Sequence, residues 1–250
     1  MPRVITLLTD FGSSDTYVGV MKGVILGIAP AARIVDLTHD VPPHDVRSGA
    51  FQLLVAHRYF PAGTIHVAIV DPGVGTQRAI VAVQAGPTSF VGPDNGVLRW
   101  AVDDAGGPST AVRVEVARYR LPELSTTFHG RDVMAPAAAH LAAGVALESL
   151  GPPVRELQGD PFPQPDGSRG VVIHVDRFGN CVTNFRAGDA GTLEVLGRRL
   201  ARVRAYADAT GNEPVVIGAS AGFLEIAVNG GSAAARLGIG VNTPVRLVEA

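Results

Sequence analysis

The sequence predicts an α/β chain in two parts: a mainly parallel α/β/α sandwich over residues 1–160 and a smaller antiparallel β domain over residues 171–250, with residues 161–170 as linker. Three observations carry this reading. In the first part, apolar runs of strand length alternate with segments at helical spacing. After Leu150 the stretch GPPVRELQGDPFPQPDGSRG is rich in proline and glycine, which continue neither a helix nor a central strand. The remainder consists of short strand-like runs divided by turn residues, with no convincing helix between most of them.

VITLLT opens the chain as a strand, followed by TYVGVMKGVILGIA at helical spacing, RIVDL as a strand, VRSGAFQLLVAHRYF as a helix and TIHVAIV as a strand. That alternation implies a mainly parallel sheet covered by helices on both faces. AIVAVQA, SFVG and VRVEVA are further strand candidates, and helices are expected after Asn95 and around Arg131. The alanine-rich stretch from Ala135 to Leu147 contains Pro136 and His140 and falls short of the roughly 20 apolar residues a membrane span requires, so it predicts a buried helix. From Gly170 onward VVIHVD, NCVTNF, TLEVLG, RLARVRAYA, EPVVIGA, FLEIAV and PVRLVEA predict a small antiparallel barrel or sandwich.

Composition narrows the function. A chain of 250 residues, 46% hydrophobic and 18% charged, buries a full-sized core and is folded throughout. A formal net charge of -2 with no basic run leaves no electrostatic footprint for nucleic acid or an anionic membrane, and points to a small-molecule ligand. Cys181 is the only cysteine, which excludes an internal disulfide and a thiolate cluster. No histidine pair has a metal-binding spacing such as HExxH, so no metal is implied. The apolar run in MPRVITLLTDFG is too short for a signal peptide and is followed by acidic Asp10, which predicts a cytoplasmic protein.

In open parallel sheets ligands sit beyond the carboxyl ends of the strands. Three polar sites follow apolar runs there: Asp10 in TDFGSSD, Asp71 in DPGVG, and Asp94 with Asn95 in PDNG. Each alone also fits helix capping or turn formation. TDFGSSD lacks the glycine spacing of a phosphate loop, whereas an ionised carboxylate at Asp10 suits the two donors of a ribose diol. DPGVGTQR places Arg78 seven residues after Asp71 across a glycine-containing loop, which makes either a structural ion pair or part of a site. FHGRDVMAPAAAH puts His129 on the residues leading into a helix, beside Gly130; a lone histidine there is structural or catalytic. His57 and His140 lie in helical patterns, and His66 and His174 in strand patterns, where core or surface roles are expected. VDRFGNCVTN gathers Asp176, Asn180 and Asn184 around a Phe-Gly turn, as turn chemistry or as ligand contacts. SAGFLEIAVNGGSAA alternates up to Val228 and breaks at Asn229 and Gly230, reading as an edge strand with a hairpin, or as a surface where Glu225 meets an ammonium group and the backbone near Val228 meets a base edge.

TDFG, YVGVMKG, DPGVG, PDNG, FHGRD, DRFGN and FLEIAVN, in that order over nearly the full length, resemble the S-adenosyl-L-methionine (SAM) hydroxide adenosyltransferase family, the adenosine-forming SAM hydrolases of a wider group that includes fluorinase and chlorinase. The resemblance implies an N-terminal α/β domain, a C-terminal β-barrel and a homotrimer with active sites at subunit interfaces. It implies cleavage of SAM by water or hydroxide at ribose C5′, giving adenosine and L-methionine, with no cofactor. The family's side-chain triad maps onto Asp71, Arg78 and His129, its ribose-binding aspartate onto Asp10, and its methionine and adenine contacts onto Asp176, Asn180, Ser220, Glu225, Val228 and Gly230. Phe128 is placed to pack near the sugar or to shield the site, and His44 falls where halogenating relatives carry an aromatic residue. Fluorinase has a serine in its halide pocket where this chain has Gly130, preceded by His129, which favours water over halide. The alternatives are a chlorinase-like halide-dependent SAM adenosyltransferase and a non-catalytic SAM- or adenosine-binding protein.

Overall fold

The computed structural model describes residues 3–249. They form two compact units that part between Phe162 and Pro163.

The first unit runs β1 (Val4–Thr9), α1 (Tyr17–Ile28), β2 (Arg33–Thr38), α2 (Val46–Ala56), β3 (Ile65–Ile69), β4 (Ile80–Ala85), β5 (Thr88–Pro93), α3 (Arg99–Asp104), β6 (Thr110–Arg113) and α4 (Ala135–Ala142). The sheet order is β2-β1-β3-β5-β4-β6. The first four of these strands are mutually parallel, while β4 runs antiparallel to both β5 and β6. β4 and β5 form a tight hairpin, because the two residues between them leave no length for a crossover helix.

Successive strand side chains point to opposite faces, and both faces are apolar here. Ile5, Leu7, Ile65, Val67 and Ile69 pack with α1 and α4 on one side, whereas Leu8, Ala68, Val70, Val83 and Phe90 pack with α2 and α3 on the other. The α/β/α layering expected from the alternating pattern is present. Asp45 caps α2 by accepting from the Ser48 N–H at 2.9 Å. The alanine-rich helix is shorter than its composition suggests. It begins as a π-helical turn, Gly130–Met134, becomes α-helical at Ala135, and ends after Ala142 near Gly144, whose φ of 97° breaks the helix.

The proline-rich segment after Leu150 is partly built into this unit. The Arg113 N–H donates to Pro152 O and the Val154 N–H to Ala111 O, both at 2.8 Å, so the segment lines the outer edge of β6. Trp100 Nε1 donates to Asp160 O at 3.1 Å, and Leu157 is buried.

The second unit contains β7 (Arg169–Val175), β8 (Cys181–Arg186), β9 (Thr192–Val195), β10 (Arg198–Arg199), β11 (Ala201–Arg202), β12 (Pro214–Gly218), β13 (Phe223–Val228), α5 (Ala233–Leu237) and β14 (Pro244–Val248). Its sheet order is β10-β9-β14-β7-β8-β13-β12-β11. The end strands β10 and β11 are separated in the chain by Leu200 alone, so the sheet curls into a nearly closed barrel. The Leu200 N–H donates to Leu193 O at 2.9 Å, and Leu200 O accepts from Thr192 Oγ1 at 2.6 Å. Two features differ from expectation. β13 lies between β8 and β12 with all six residues buried, not at an edge. The short helix α5 follows it, capped by Ser232. No helix among the described residues is long and apolar enough to cross a membrane.

His66, the strand histidine of β3, is fully buried, with Nδ1 2.6 Å from Thr6 Oγ1 and its ring stacked on Phe90 at 5.3 Å. Burial pulls its pKa from 6.5 down to about 3, and the nearby His57 adds to the shift. The sign follows from linkage. The unfolded chain protonates this group below about pH 6.5 while the fold keeps it neutral, so stability falls as pH drops from about 6.5 towards 3, by about 1.4 kcal/mol per pH unit at most. Urea denaturation at pH 7, 6 and 5 checks this slope, and the double replacement Thr6→Val with His66→Phe is expected to flatten it.

Candidate active site

Parallel strands deliver their following residues to one end of the sheet. The register between β1 and β3 pairs Thr9 with Ile69, so Asp10 and the Val70–Asp71 step emerge at the same end of adjacent strands. Asn95 fixes this end by donating its Nδ2 to Val70 O at 2.8 Å, immediately before Asp71. Asp94 turns elsewhere, accepting from the Gln158 N–H at 2.8 Å, and burial raises its pKa. The PDNG segment therefore supports the site from outside it.

The loop from Asp71 to Arg78 folds back so that Arg78 Nε lies 2.8 and 2.9 Å from the two oxygens of Asp71, with Arg78 Nη2 also donating to Oδ2. Arg78 Nη2 lies 2.9 Å from Nδ1 of His129 as well. The side chains of Arg78 and Asp71 are only 11% and 6% exposed, so the pair is largely withdrawn from solvent. The return of this loop depends on Gly75, whose φ is 81°; a Cβ there would come within 2.6 Å of Thr126 O in the loop that carries His129. That second loop is held by Asp132, which is fully buried, pairs with Arg131 and accepts from the Ser125 N–H at 2.6 Å.

Arginine only donates, so Nδ1 of His129 accepts, and the neutral ring carries its proton on Nε2. Burial, and next the Arg78 guanidinium, hold the pKa of His129 below its ordinary 6.5, against the opposing pull of Asp71 and Asp132. The group offers carboxylate acceptors, a fixed cation and a neutral imidazole donor, the requirements for holding a polar nucleophile without a metal.

Asp71 and His129 border a cleft of about 310 Å³ that also includes Asp10, His44 and Phe128. Asp10 Oδ2 accepts from the His44 N–H at 2.9 Å, and the backbone of His44 takes a left-handed φ of 67°. Phe11 and Tyr17 border the same cleft. The sequence reading missed both, although Phe11 directly follows Asp10. Arg78 and His129 also border a second cavity of about 500 Å³ with Arg113, Glu115 and Arg120.

In the second unit, Asp176 organises the β7–β8 turn: Oδ1 accepts from the N–H groups of Phe178 and Asn180, and Oδ2 from Asn180 Nδ2 at 2.9 Å. Asn184 is structural, accepting from the Val171 N–H and donating to Pro163 O. Because β13 pairs antiparallel to β8, with Ile226 opposite Cys181, the turn holding Val228 and Gly230 lies at the Asp176–Asn180 end of the barrel. Ser220, exposed in the turn before β13, lies at the opposite end, where Gly222 O accepts from the Ala187 N–H. Glu225 is buried between them, bonded by the Tyr206 hydroxyl at 2.5 Å, and burial raises its pKa, with the charge of Asp176 adding to the effect. The barrel thus gathers Asp176, Asn180, Val228 and Gly230 at one end and sets Ser220 apart.

An α/β unit with a carboxylate, arginine and histidine group at its strand ends, followed by a β-barrel unit, defines the class. Family models describe the same two parts: the SAM hydroxide adenosyltransferase N-terminal domain matches residues 5–151 and the C-terminal domain residues 170–246. The chain belongs to the SAM hydroxide adenosyltransferase family. It is 45% identical over 258 residues to the (R)-S-adenosyl-L-methionine hydrolase of Thermus thermophilus, covering 98% of this chain and 100% of the relative. A crystal structure of an uncharacterized conserved protein from Thermotoga maritima is 35% identical and superposes with a TM-score of 0.88 over 98% of this chain and 100% of that one. More distant is a fluorinase of an Actinoplanes species, 29% identical over 90% of this chain and 91% of the relative.

The Arg78 contact makes a direct prediction. In an NMR titration His129 is expected to titrate below 6.5, and its pKa should rise in Arg78→Ala, which removes a neighbouring positive charge and frees Nδ1.

Proposed function

We propose that this protein hydrolyses SAM to adenosine and L-methionine by in-line attack of water or hydroxide at ribose C5′. The observation that carries the reading is the Asp71–Arg78–His129 group on one cleft with Asp10. The names of the relatives support it.

The substrate carries its own leaving group. Attack at C5′ breaks the bond to the sulfonium, which departs as the neutral thioether of methionine and requires no acid. One proton of the water is released in each turnover. The protein has to align the nucleophile and exclude other water, which converts much of the entropic cost into binding. Asp71 retains lone pairs beyond those taken by Arg78 and accepts a hydrogen bond from the water. Neutral His129 donates from Nε2 to the water oxygen, and Arg78 stabilises hydroxide character as the bond forms. Asp10 accepts from the ribose diol, Phe128 shields the sugar, and Asp176, Asn180, Glu225, Val228 and Gly230 contribute methionine and adenine contacts, whereas Ser220, at the opposite end of the barrel, takes no part in them. The active assembly is a homotrimer with its sites at subunit interfaces.

Incubation with SAM in isotopically labelled water is expected to yield adenosine carrying the label in its 5′ hydroxyl, together with methionine. Chlorinated deoxyadenosine formed with chloride would establish halide transfer instead, and intact bound SAM would establish a binding protein. Arg78→Ala should lower kcat by on the order of a hundredfold or more while the chain stays folded, because the residue lies on a loop; near-normal turnover would remove the triad assignment. Light scattering of the purified protein is expected to give three times the mass of the chain.

A further inference from the structure

The cleft of the first unit contains an aromatic corner in which Phe128 shields the sugar but Phe11 and Tyr17 have no role in the proposed reaction. Phe11, Tyr17 and Phe128 all border it. Their rings meet in pairs: Phe11 and Tyr17 at 5.8 Å, Phe11 and Phe128 at 6.0 Å, and Tyr17 and Phe128 at 5.2 Å with an interplanar angle of 86°. Tyr17 remains 48% exposed despite these contacts. It sits at the first position of α1, so the helix start fixes its backbone and the two phenylalanines fix its ring. Phe128 already has the Arg131 guanidinium 5.1 Å from its ring centroid. Tyr17 is the ring of the three with most surface available to a ligand.

The surrounding charge points the same way. The titratable residues bordering the cleft are Asp10, Asp71, Tyr17 and the two histidines His44 and His129, with no lysine or arginine. Asp71 is paired with Arg78, which leaves the Asp10 carboxylate and the exposed aromatic surface as the features of the cleft that suit a cation. The faces of aromatic rings carry negative potential and attract cations that hold water weakly. A trialkylsulfonium has no N–H or O–H to donate, so hydrogen-bond acceptors recognise it poorly and a ring face recognises it well.

We infer that Tyr17, buttressed by Phe11 and Phe128, is the specificity-determining seat of the substrate sulfonium and separates SAM from neutral thioether nucleosides. The inference rests on SAM being the ligand of this cleft. Its energetic consequence is specific. The positive charge on sulfur fades as the C5′ bond breaks, so the contact is strongest in the ground state and disappears in the product. It contributes affinity and selectivity, not transition-state stabilisation.

Calorimetry with two probes tests this: S-adenosylhomocysteine, and an aza analogue of SAM whose protonated tertiary amine stands in place of the sulfonium. Tyr17→Leu is expected to weaken the cationic probe about tenfold while leaving the neutral one within about twofold. With SAM itself, KM should rise and kcat stay level or increase. Tyr17→Phe should retain the preference, and stepwise fluorination of the phenylalanine at that position should reduce it step by step without changing the packing. Equal losses for both probes, no loss, or a flat fluorination series would overturn the seat. The fluorination series decides the matter even if Tyr17→Leu fails to fold. Wild-type protein that binds SAM and releases adenosine but shows no preference between the probes sinks this inference alone; wild-type protein that binds no SAM sinks the proposed function with it.

Discussion

The site depends on one guanidinium. Arg78 holds both oxygens of Asp71 and, through Nη2, the Nδ1 of His129, so a single residue joins the loop after β3 to the loop before α4. The pair is nearly buried, and breaking such a pair by removing one partner leaves an uncompensated charge. The geometry of arginine decides what the arrangement can be: a rigid fork satisfies a carboxylate on two points and still has a donor to spare. Lysine, a point charge with three rotating donors, would hold neither the carboxylate plane nor the histidine tautomer.

Several other constraints in the first unit serve that junction. The sheet is largely apolar on both faces, the buried Thr6–His66 pair excepted, which anchors β1 and β3 in the core and leaves their ends to carry the polar groups of the cleft. Asn95 ties the last carbonyl before Asp71, and buried Asp132 ties the loop that presents His129. Gly130 packs with no Cβ against Ile69, Met21 and Phe128, within 3.2 to 3.4 Å of where one would stand. A serine at that position would press on the core of α1 as well as change the surface of the cleft.

Much of the architecture was legible in the order of residues. Alternating periods of two and about four residues marked β1, α1, β2, α2 and β3, because burial on both sheet faces and on one helix face imposes those periods. The hairpin of β4 and β5 and the central place of β13 were less legible. A fully buried strand shows an apolar run whether it lies at the edge or in the middle, and pairing is set by partners far away in the chain. For the site, strand-end position singled out Asp10, Asp71, Asp94 and Asn95 alike. Spacing along the chain cannot tell a carboxylate that faces a cleft from one that clamps a neighbouring segment, which is why Asp94 and Asn95 looked like Asp71. Residue chemistry alone left His129 structural or catalytic, and only the family resemblance joined it to Asp71 and Arg78, because its contact with Arg78 spans 51 residues of chain. Tyr17 was hidden for a similar reason, since a tyrosine at the start of an amphipathic helix reads as part of its apolar face.

The near-contact between Gly75 and Thr126 has a mechanical consequence. With so little clearance, the two loops cannot move past one another independently, and a displacement of either is handed to the other. The carboxylate, guanidinium and imidazole are therefore joined twice, by the hydrogen bonds of Arg78 and by the close packing of the two loops that carry them. A side chain added at Gly75 then disturbs both loops at once, the one that carries Asp71 and Arg78 and the one that carries His129.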